Sequence, residues 1–440
     1  MKSKNKENLH RVISKILKTR EMYPVGDLLP SVERILAKRK NFEVLVEKHN
    51  TPFYVYDQSE LDASIDQFLS AFRTHIPRFQ AYYAMKVNHH PLVVQHAVEN
   101  GMGLDVASRR ELVCALETGS TDIVYFSPGK TEEDLEFAVE HAERVRIHLD
   151  SFSELKRLGT ITNTHRRPIQ ASVRIHTDMH GLWSKYGIHL KDLKQFWYEA
   201  KNFPFIQLNG IHFHMSRNGT TDFYTKTIQA LGIHLTQQFS PTDRKEVQFI
   251  NFGGGFEPYR REGFYPWETP RGKIIQIACA VSGEPAPFAE KYYLLLPPTI
   301  EEYACAIGNA IREHLDPIIT PIYQSEPGRY ICNSAMHIVL QIADVKDTEN
   351  CILNGGVNMV GWQRFEHEYF PLINITHPSN NEHSCRMWGN LCTTWDIWGY
   401  YCYAETLQER DVIVVPDQGA LTYSLAQKFI NDIPPVYPLL

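Results

Sequence analysis

The amino-acid sequence predicts a (β/α)8 barrel followed by a separate, mainly antiparallel β domain. Apolar runs of strand length alternate with capped helical segments from Phe79 to about residue 324. After about residue 330 the helical segments give way to short β-type runs joined by turns. Strands that alternate with helices indicate a parallel sheet, and eight of them favour a closed barrel over an open sheet. A chain of 440 residues is long enough for both units.

The chain begins with two helical patterns, at Leu9–Leu17 and Val32–Lys48. We expect residues 1–50 to form an N-terminal extension that packs partly on the β domain. A short strand follows at 52–56, and it fits either domain. The segment Ser59-Glu60-Leu61-Asp62 has the spacing of a capping box, which predicts the start of a helix.

The barrel strands are expected at 79–87, 103–106, 122–126, 144–149, 169–175, 208–214, 247–252 and 319–324. Between them, Ser108, Thr131 and Ser151 each precede an acidic residue three positions later, which predicts helix starts. Gly119 is expected to end the first of these helices in a left-handed conformation. We assign residues 51–320 to the barrel and residues 321–440 to the β domain, with a proline-rich insertion between about 255 and 300.

Composition excludes several classes of protein. The formal net charge is −6 at pH 7, and no basic stripe indicates a nucleic-acid binder. No apolar run is long enough to cross a bilayer, and the N-terminus lacks the apolar core of a signal peptide. Eight cysteines are scattered without CxxC spacing, so neither a zinc knuckle nor a disulfide framework is expected. These features predict a cytoplasmic protein that binds neither nucleic acid nor membrane and holds no metal.

Polar residues collect where the predicted barrel strands end, which is where the active site of this fold lies. They are Lys86, Asp105, Ser108, Lys130, Asp150, Arg174, His176, His212, His214, Ser216, Arg217, Asn251, Glu326 and Arg329. Taken alone, Lys86 more often extends its ammonium group to solvent than serves chemistry. The density of polar groups around it makes a catalytic role the better interpretation.

Two motifs at the end of the barrel indicate a phosphate site. The glycines Gly253, Gly254 and Gly255 follow the seventh strand, and Glu326 and Arg329 follow the eighth. Loops after strands seven and eight are the usual phosphate site of this fold. A phosphate site, a lysine and a buried glutamate together predict pyridoxal 5'-phosphate, with the lysine as Schiff base and the glutamate on the pyridine nitrogen.

The combined motifs resemble one family, the fold-type III pyridoxal-phosphate decarboxylases, which include the ornithine and diaminopimelate enzymes. The resemblance runs from about Thr51 nearly to the C-terminus, and its motifs are Tyr83-Ala84-Met85-Lys86-Val87-Asn88, Gly103-Leu104-Asp105-Val106-Ala107-Ser108, Gly210-Ile211-His212-Phe213-His214, Gly253-Gly254-Gly255, Glu326-Pro327-Gly328-Arg329 and Cys392-Thr393-Thr394-Trp395-Asp396. It implies decarboxylation of a small amino-acid substrate by a head-to-tail homodimer with shared active sites.

The resemblance also implies roles for single residues. Lys86 would hold the cofactor, His214 would stack on its ring, and Glu326 would pair with its pyridine nitrogen. Cys392 would enter from the partner subunit as proton donor. The remaining expected contacts are Asp105, Ser216, Arg217, Gly253, Gly254, Gly255, Gly328, Arg329 and Tyr423 on the cofactor, Thr393 and Asp396 beside Cys392 on the substrate, and Lys185 paired with Asp396 across the dimer.

Three positions depart from the family pattern. Arg217 stands where a serine that binds the phosphate is usual, with Ser216 one residue earlier. Leu421 stands where a phosphate-binding tyrosine is usual, with Tyr423 two residues later. Thr393 replaces the acidic residue that binds the far ammonium group of the substrate. The Cys-Thr pair resembles family members that act on amino-acid conjugates in siderophore or antibiotic synthesis, so we expect a substrate with an uncharged far nitrogen.

Other functions stay open from the sequence. His212 and His214 lie two apart on a strand and are compatible with a metal-dependent barrel hydrolase. A catalytically silent homologue that regulates an active partner would account for Leu421, although Lys86 and Cys392 are both retained. An amino-acid racemase on a similar barrel is disfavoured by Glu326, which suits decarboxylation. Polyamine or lysine metabolism also remains compatible with the pattern.

Overall fold

The computed structural model describes residue 11 and residues 28–216, 219–258, 263–265, 270–282, 297–361 and 368–439. The helix expected at Leu9–Leu17 therefore lies outside the described residues except for Arg11, and Arg217 lies outside them too.

The strands are β1 Phe53–Tyr56, β2 Phe79–Ala84, β3 Gly103–Val106, β4 Ile123–Phe126, β5 Val145–Leu149, β6 Ile169–His176, β7 Ile188–His189, β8 Ile206–His212, β9 Phe249–Asn251, β10 Gly263–Phe264, β11 Ile322–Ser325, β12 Met336–Asp347, β13 Asn350–Leu353, β14 Glu368–Tyr369, β15 Ile373–Asn374, β16 Glu382–Trp388, β17 Ile397–Tyr403, β18 Val412–Val415 and β19 Val436–Pro438.

The α-helices are α1 Leu29–Ala37, α2 Arg39–Lys48, α3 Gln58–His75, α4 Pro91–Glu99, α5 Arg109–Glu117, α6 Glu132–Glu140, α7 Phe152–His165, α8 Leu193–Ala200, α9 Asp222–Gln238, α10 Pro241–Lys245, α11 Pro270–Ser282, α12 Ile300–His314 and α13 Arg329–Cys332. Short 3-10 segments lie at Asp178–Lys185, Leu190–Asp192, Asn333–Ala335, Val357–Met359 and Tyr423–Leu425.

A closed parallel barrel forms the first unit. Its strands pair in the order β2, β3, β4, β5, β6, β8, β9 and β11, and β11 pairs back with β2. The strand-length apolar runs of the sequence therefore mark the eight barrel strands, with bounds that differ by up to three residues. Strand β2 ends at Ala84, so Lys86 lies in the turn just beyond the strand rather than in it.

A second sheet forms the β domain. Its strands follow the order β13, β16, β17, β15, β18, β12, β1 and β19, and a β12–β13 pairing closes it. The predicted barrel segment, residues 51–320, differs from the observed barrel by one strand at each end. The register places β11 between β9 and β2, inside the barrel, while β1 pairs with β12 and β19 in the β domain.

Most predicted helix starts are confirmed. The side chains of Ser108, Thr131 and Ser151 each accept the predicted N–H bond, and Gly119 has φ +80°. The start expected at Ser59 is wrong. The cap is Asp57, whose carboxylate accepts the N–H of Glu60 and thereby starts the helix two residues earlier.

The N-terminal helices α1 and α2 pack on the β domain, as expected for this extension. Val32, Ile35 and Phe42 share one apolar cluster with Val339 and Ile373 of the sheet. Within the described residues, no helix is both long enough and apolar enough to cross a membrane. Of the expected insertion between about 255 and 300, the described part contains β10, which pairs with β14, and α11. 

Candidate active site

A cavity of about 330 Å³ opens at the carboxyl ends of the barrel strands. Lys86, His214, Glu326 and Arg329 line it, together with Arg174, which the sequence placed at a strand end without a role. The fold therefore brings together the lysine, the glutamate and the arginine that the motifs predicted. Gly255, Ser216 and Gly328 also line this cavity.

Lys86 reaches into the cavity from the turn after β2. The turn is held by the N–H of Met85, which donates to the carbonyl of Asp105 at 3.0 Å. The Lys86 side chain is 41% exposed, and its Nζ lies 2.9 Å from Asp105 Oδ2. Burial lowers the pKa of Lys86, but Asp105 and Glu326 outweigh this and raise it overall. Burial raises the pKa of Asp105 to about 7, against the opposing charge of Lys86.

Glu326 lies at the floor of the cavity and is 3% exposed. Its Oε1 accepts hydrogen bonds from His148 Nε2 at 3.1 Å and from Asn251 Nδ2 at 2.8 Å. His212 Nε2 lies 3.3 Å from Glu326 Oε2, and the rings of His212 and His148 stack at 4.5 Å. Burial works to raise the pKa of Glu326, but His212 and His148 hold it well below its usual range. Burial lowers the pKa of His212 to about 3. The floor therefore carries a buried carboxylate that accepts hydrogen bonds from His148 and Asn251.

His214 is held as a neutral ring of one tautomer. The N–H of Gly254 donates to His214 Nδ1 at 2.9 Å, so the ring proton is on Nε2. That Nε2 lies 3.1 Å from Ser216 Oγ and donates to it. Burial, and the charges of Arg174 and Lys86, place the pKa of His214 well below its usual value.

The glycine loop after β9 offers fewer backbone N–H groups to an anion than the sequence predicts. The N–H of Gly253 donates to Asn251 Oδ1 at 2.8 Å, and that of Gly254 is used by His214. This leaves Gly255 as the loop glycine on the cavity wall. A Cβ at Gly254 would come within 2.2 Å of the carbonyl oxygen of Glu326, so no other residue fits there. The glycine thus lets the loop pack directly against the backbone of Glu326.

Glu257 stands beside Arg329 and was not expected from the sequence. Arg329 Nη1 donates to Glu257 Oε2 at 2.9 Å, and both residues line the cavity. Leu421 also lines it, whereas Tyr423 packs against Tyr54 at 5.5 Å. Tyr423 also lies against His89 and His90 of the barrel segment, at 5.6 and 5.1 Å, and the cofactor contact expected for it stays a prediction.

Comparison with known proteins identifies the family. Residues 62–333 match the model of the pyridoxal-dependent decarboxylases, specifically their pyridoxal binding domain. The chain belongs to the pyridoxal-dependent decarboxylase family. The cavity residues suit the cofactor, because a lysine, an ionised glutamate and an arginine beside a glycine loop are all present. Pyridoxal phosphate is the cofactor of this decarboxylase, and the reaction class is that of a carboxy-lyase.

Relatives span most of the chain at low identity. A diaminopimelate decarboxylase from Methanothermobacter thermautotrophicus is 24% identical over 400 residues, covering 88% of this chain and 85% of the relative. A 2-[(L-alanin-3-ylcarbamoyl)methyl]-2-hydroxybutanedioate decarboxylase from Staphylococcus aureus is 22% identical, covering 87% and 92%. The solved diaminopimelate decarboxylase of M. jannaschii, in complex with L-lysine, has the same fold with a TM-score of 0.73, 20% identity, and coverage of 90% and 88%.

The cysteine loop of the decarboxylase does not line the cavity of its own chain. Cys392 is exposed, and Asp396 is 1% exposed. Asp396 accepts the N–H of Val357 at 2.7 Å and that of Leu391 at 2.6 Å, so its carboxylate shapes the loop. The carboxylate of Asp396 is thus occupied within its own chain, while Lys185 is exposed, and their expected pairing across a dimer stays a prediction.

The structure does not support the hypothesis that His212 and His214 bind a metal ion. The described residues contain one cluster with ligand-like spacing, His148, His212 and Glu326. His214 is not part of it, and its ring lies 6.5 Å from that of His212. The family shown above is that of pyridoxal-dependent decarboxylases, so the hydrolase is not supported.

Several site residues were missed or left without a role at the sequence level. His148 lies inside a barrel strand, where a buried histidine gives no signal in the apolar pattern. Glu111 lies three residues after the cap Ser108 of α5, and its Oε2 accepts the N–H of Ala107, which lines the cavity. Arg174 lies over the rings of Phe126 and Tyr186 at 4.3 and 4.6 Å. Burial lowers the pKa of Arg174 to about 10.

Proposed function

We propose that this decarboxylase acts on an amino acid with a free α-amino-carboxylate whose far nitrogen is uncharged, as in an amide. The observation that carries this is Thr393, which follows Cys392 in place of the usual carboxylate. A free far ammonium group needs a partner in a buried pocket, because an unpaired charge there costs several kcal/mol. A hydroxyl bonds an amide well and an ammonium poorly.

The name of the S. aureus relative supports this substrate class. It describes an alanin-3-yl group joined through a carbamoyl linkage to a hydroxylated acid, which is a conjugate with an amide nitrogen. We place the present chain in the same kind of specialised metabolism, such as siderophore or antibiotic synthesis. The scattered spacing of its cysteines supports a cytoplasmic location.

The described residues support the following division of labour. The cofactor, when bound, draws electrons from the substrate carbon that loses carbon dioxide. Lys86 holds the cofactor covalently, Glu326 keeps its ring nitrogen protonated, and the neutral His214 stacks on the ring. Arg329 and the N–H of Gly255 bind the phosphate, with Gly328 allowing close approach. 

A second copy of the chain completes the site in this proposal. Cys392 is exposed and lies outside the cavity of its own chain, which supports its delivery of a proton from the partner subunit. Thr393 would enter with it and contact the far end of the substrate. Arg217 would compensate at the phosphate for the missing tyrosine hydroxyl at Leu421.

Steady-state release of carbon dioxide tests the substrate class. Free ornithine, lysine and diaminopimelate should be compared with distal N-acyl derivatives of the same diamino acids. We expect kcat/KM to be roughly 100-fold higher for the acyl derivatives, since several kcal/mol separate a paired from an unpaired buried charge. High turnover of free ornithine at low KM would contradict the proposal. A loaded protein that decarboxylates none of these would support the regulatory homologue instead.

Thr393→Asp provides the matched variant. A carboxylate at this position should shift the ratio of kcat/KM toward the free diamino acids, because it restores a charged partner for the far ammonium group. Thr394→Asp is the control, since it adds the same charge one residue further along the loop and should leave the ratio closer to that of the unmodified protein.

A further inference from the structure

An anionic side chain, Glu257, lines the cavity beside Gly255 and Arg329, where we expect the cofactor phosphate to bind. Glu257 comes two residues after Gly255 and shares the cavity wall with it and with Arg329. The side chains of Glu257 and Arg329 are only 7% and 14% exposed, and Arg329 Nη1 lies 2.9 Å from Glu257 Oε2. A carboxylate thus occupies one of the donor sites on the arginine that is expected to bind phosphate.

The backbone holds Glu257 in this place. The preceding residue, Phe256, is 2% exposed and stacks on Tyr224 with ring centroids 5.2 Å apart. Tyr224 in turn donates its hydroxyl to the carbonyl of Gly254 at 2.7 Å. Moving Glu257 away from the cavity would therefore pull Phe256 out of the core. The backbone of Glu257 therefore keeps its carboxylate within reach of Arg329 when another anion enters.

A phosphate group and the Glu257 carboxylate would both accept hydrogen bonds from Arg329. A phosphate monoester carries a charge of about −1.5 to −2 at pH 7 and takes up several N–H donors. Two anions that share one guanidinium repel each other, and low solvent exposure strengthens that repulsion. We propose that Glu257 competes with the cofactor phosphate for Arg329, so that it lowers the preference of the decarboxylase for phosphorylated over unphosphorylated pyridoxal compounds. The proposal rests on the cofactor assigned above and not on the substrate.

Binding of pyridoxamine 5'-phosphate and pyridoxamine to the cofactor-depleted protein isolates this effect. Neither compound has the aldehyde that would bond to Lys86, and they differ only in the phosphate. Glu257→Gln keeps a hydrogen-bond acceptor for Arg329 and removes the charge. We expect the Kd for pyridoxamine 5'-phosphate to fall about tenfold, as for strengthened hydrogen bonds to a charged group, while the Kd for pyridoxamine stays unchanged. Glu136→Gln, on the exposed side of α6, is the matched control and should change neither value.

Several results would overturn the proposal. An unchanged or higher Kd for pyridoxamine 5'-phosphate in Glu257→Gln would mean that Glu257 orients Arg329 for the phosphate instead. Equal tightening of both compounds would show an effect unrelated to the phosphate. The gain should also disappear in the Arg329→Ala background, and a gain retained there in full would rule out sharing of the arginine.

A second variant keeps the test decisive if Glu257→Gln does not fold. Glu257→Asp retains the charge but shortens the side chain by one methylene and withdraws it from Arg329. It should tighten pyridoxamine 5'-phosphate by less than tenfold, again without an effect on pyridoxamine. The measurement needs no substrate, so a wrong substrate class leaves its result intact.

Discussion

Glu326 shows how single residues set the charge of a buried site. A carboxylate that is 3% exposed would normally take up a proton, because burial disfavours its charge. Here Asn251 and His148 donate hydrogen bonds to it, and the neighbouring histidines hold its pKa well below the usual range. The negative charge is therefore held before any ligand arrives. A cofactor ring nitrogen that carries a proton would meet a ready partner.

The position of Lys86 leads to a direct prediction. Its Nζ lies 2.9 Å from Asp105 and reaches the cavity, so it should bond covalently to pyridoxal phosphate. The purified protein should be yellow, and borohydride should bleach it and leave the pyridoxyl group on the peptide containing Lys86. Peptide mapping by mass spectrometry checks this. A label on another lysine, or a Lys86→Ala variant that is still labelled, would contradict the assignment.

The buried histidines predict an acid-sensitive fold. The pKa of His212 is lowered to about 3, against an ordinary value of 6.5, because of burial. Between these values the unfolded chain binds a proton that the folded protein does not, so the free energy of unfolding should fall as pH falls from about 6.5 toward 3. In urea denaturation of the cofactor-free protein, the loss between pH 7 and pH 4.5 should be about 2–3 kcal/mol larger than in His212→Gln.

The exposed residue His165 provides the control for this comparison. His165→Gln should follow the unmodified protein across the same pH range. If His212→Gln loses as much stability as the unmodified protein, the acid sensitivity has another origin.

At the scale of elements, the loop after β8 carries one of the departures from the family pattern, Arg217. It contains Ser216, whose hydroxyl is already engaged by His214. Arg217→Ala should therefore weaken cofactor retention markedly more than Ser216→Ala, because an arginine offers a charged, two-pronged grip. The rate at which the cofactor is lost on dialysis measures this. Small and equal effects would place Arg217 elsewhere, for example toward the substrate.

The barrel was predictable from the sequence because its strands are apolar runs between capped helices, as at Ser108 and Thr131. The β domain was predictable only in part. Strands such as Glu368–Tyr369 and Ile373–Asn374 have two residues each, too few to show alternation. 

The candidate site shows the same limit. Lys86, Glu326 and Arg329 were found because they follow strands or glycines in a known order. Glu257 lies in a loop, and His148 lies inside a strand, so neither has a periodic signal. Their roles depend on contacts made between elements that are distant in sequence.

Across the whole molecule, the two domains are joined by ion pairs. Arg34 of the N-terminal extension contacts Glu60 of α3 at 3.2 Å and Asp417 of the β domain at 2.6 Å. Lys38 contacts Asp57 nearby, and His337 lies 3.6 Å from the same carboxylate. The extension thus ties the first helix of the barrel unit to the sheet that carries the cysteine loop.

A dimer with shared sites has a specific signature. Lys86→Ala and Cys392→Ala should each be inactive alone, because each removes a group that the site needs. Mixed together under conditions of subunit exchange, they should recover up to about a quarter of normal activity, since in a random mixture half of the dimers are mixed and each has one complete site. Native mass spectrometry verifies the exchange. Full exchange without recovery would mean that both residues act within one chain.

The pairing of β1 has a consequence for how the protein is made. Tyr54 pairs with Ile338 on one side and with Val436 on the other, so this strand leaves the ribosome long before either neighbour exists. Unpaired strand edges are prone to aggregate. The helices α1 and α2 are translated first, and their apolar residues cover Phe53 and Val55 in the folded protein. The order of synthesis therefore supplies a cover for the apolar face of this strand, though not for its edges, before its neighbours are translated.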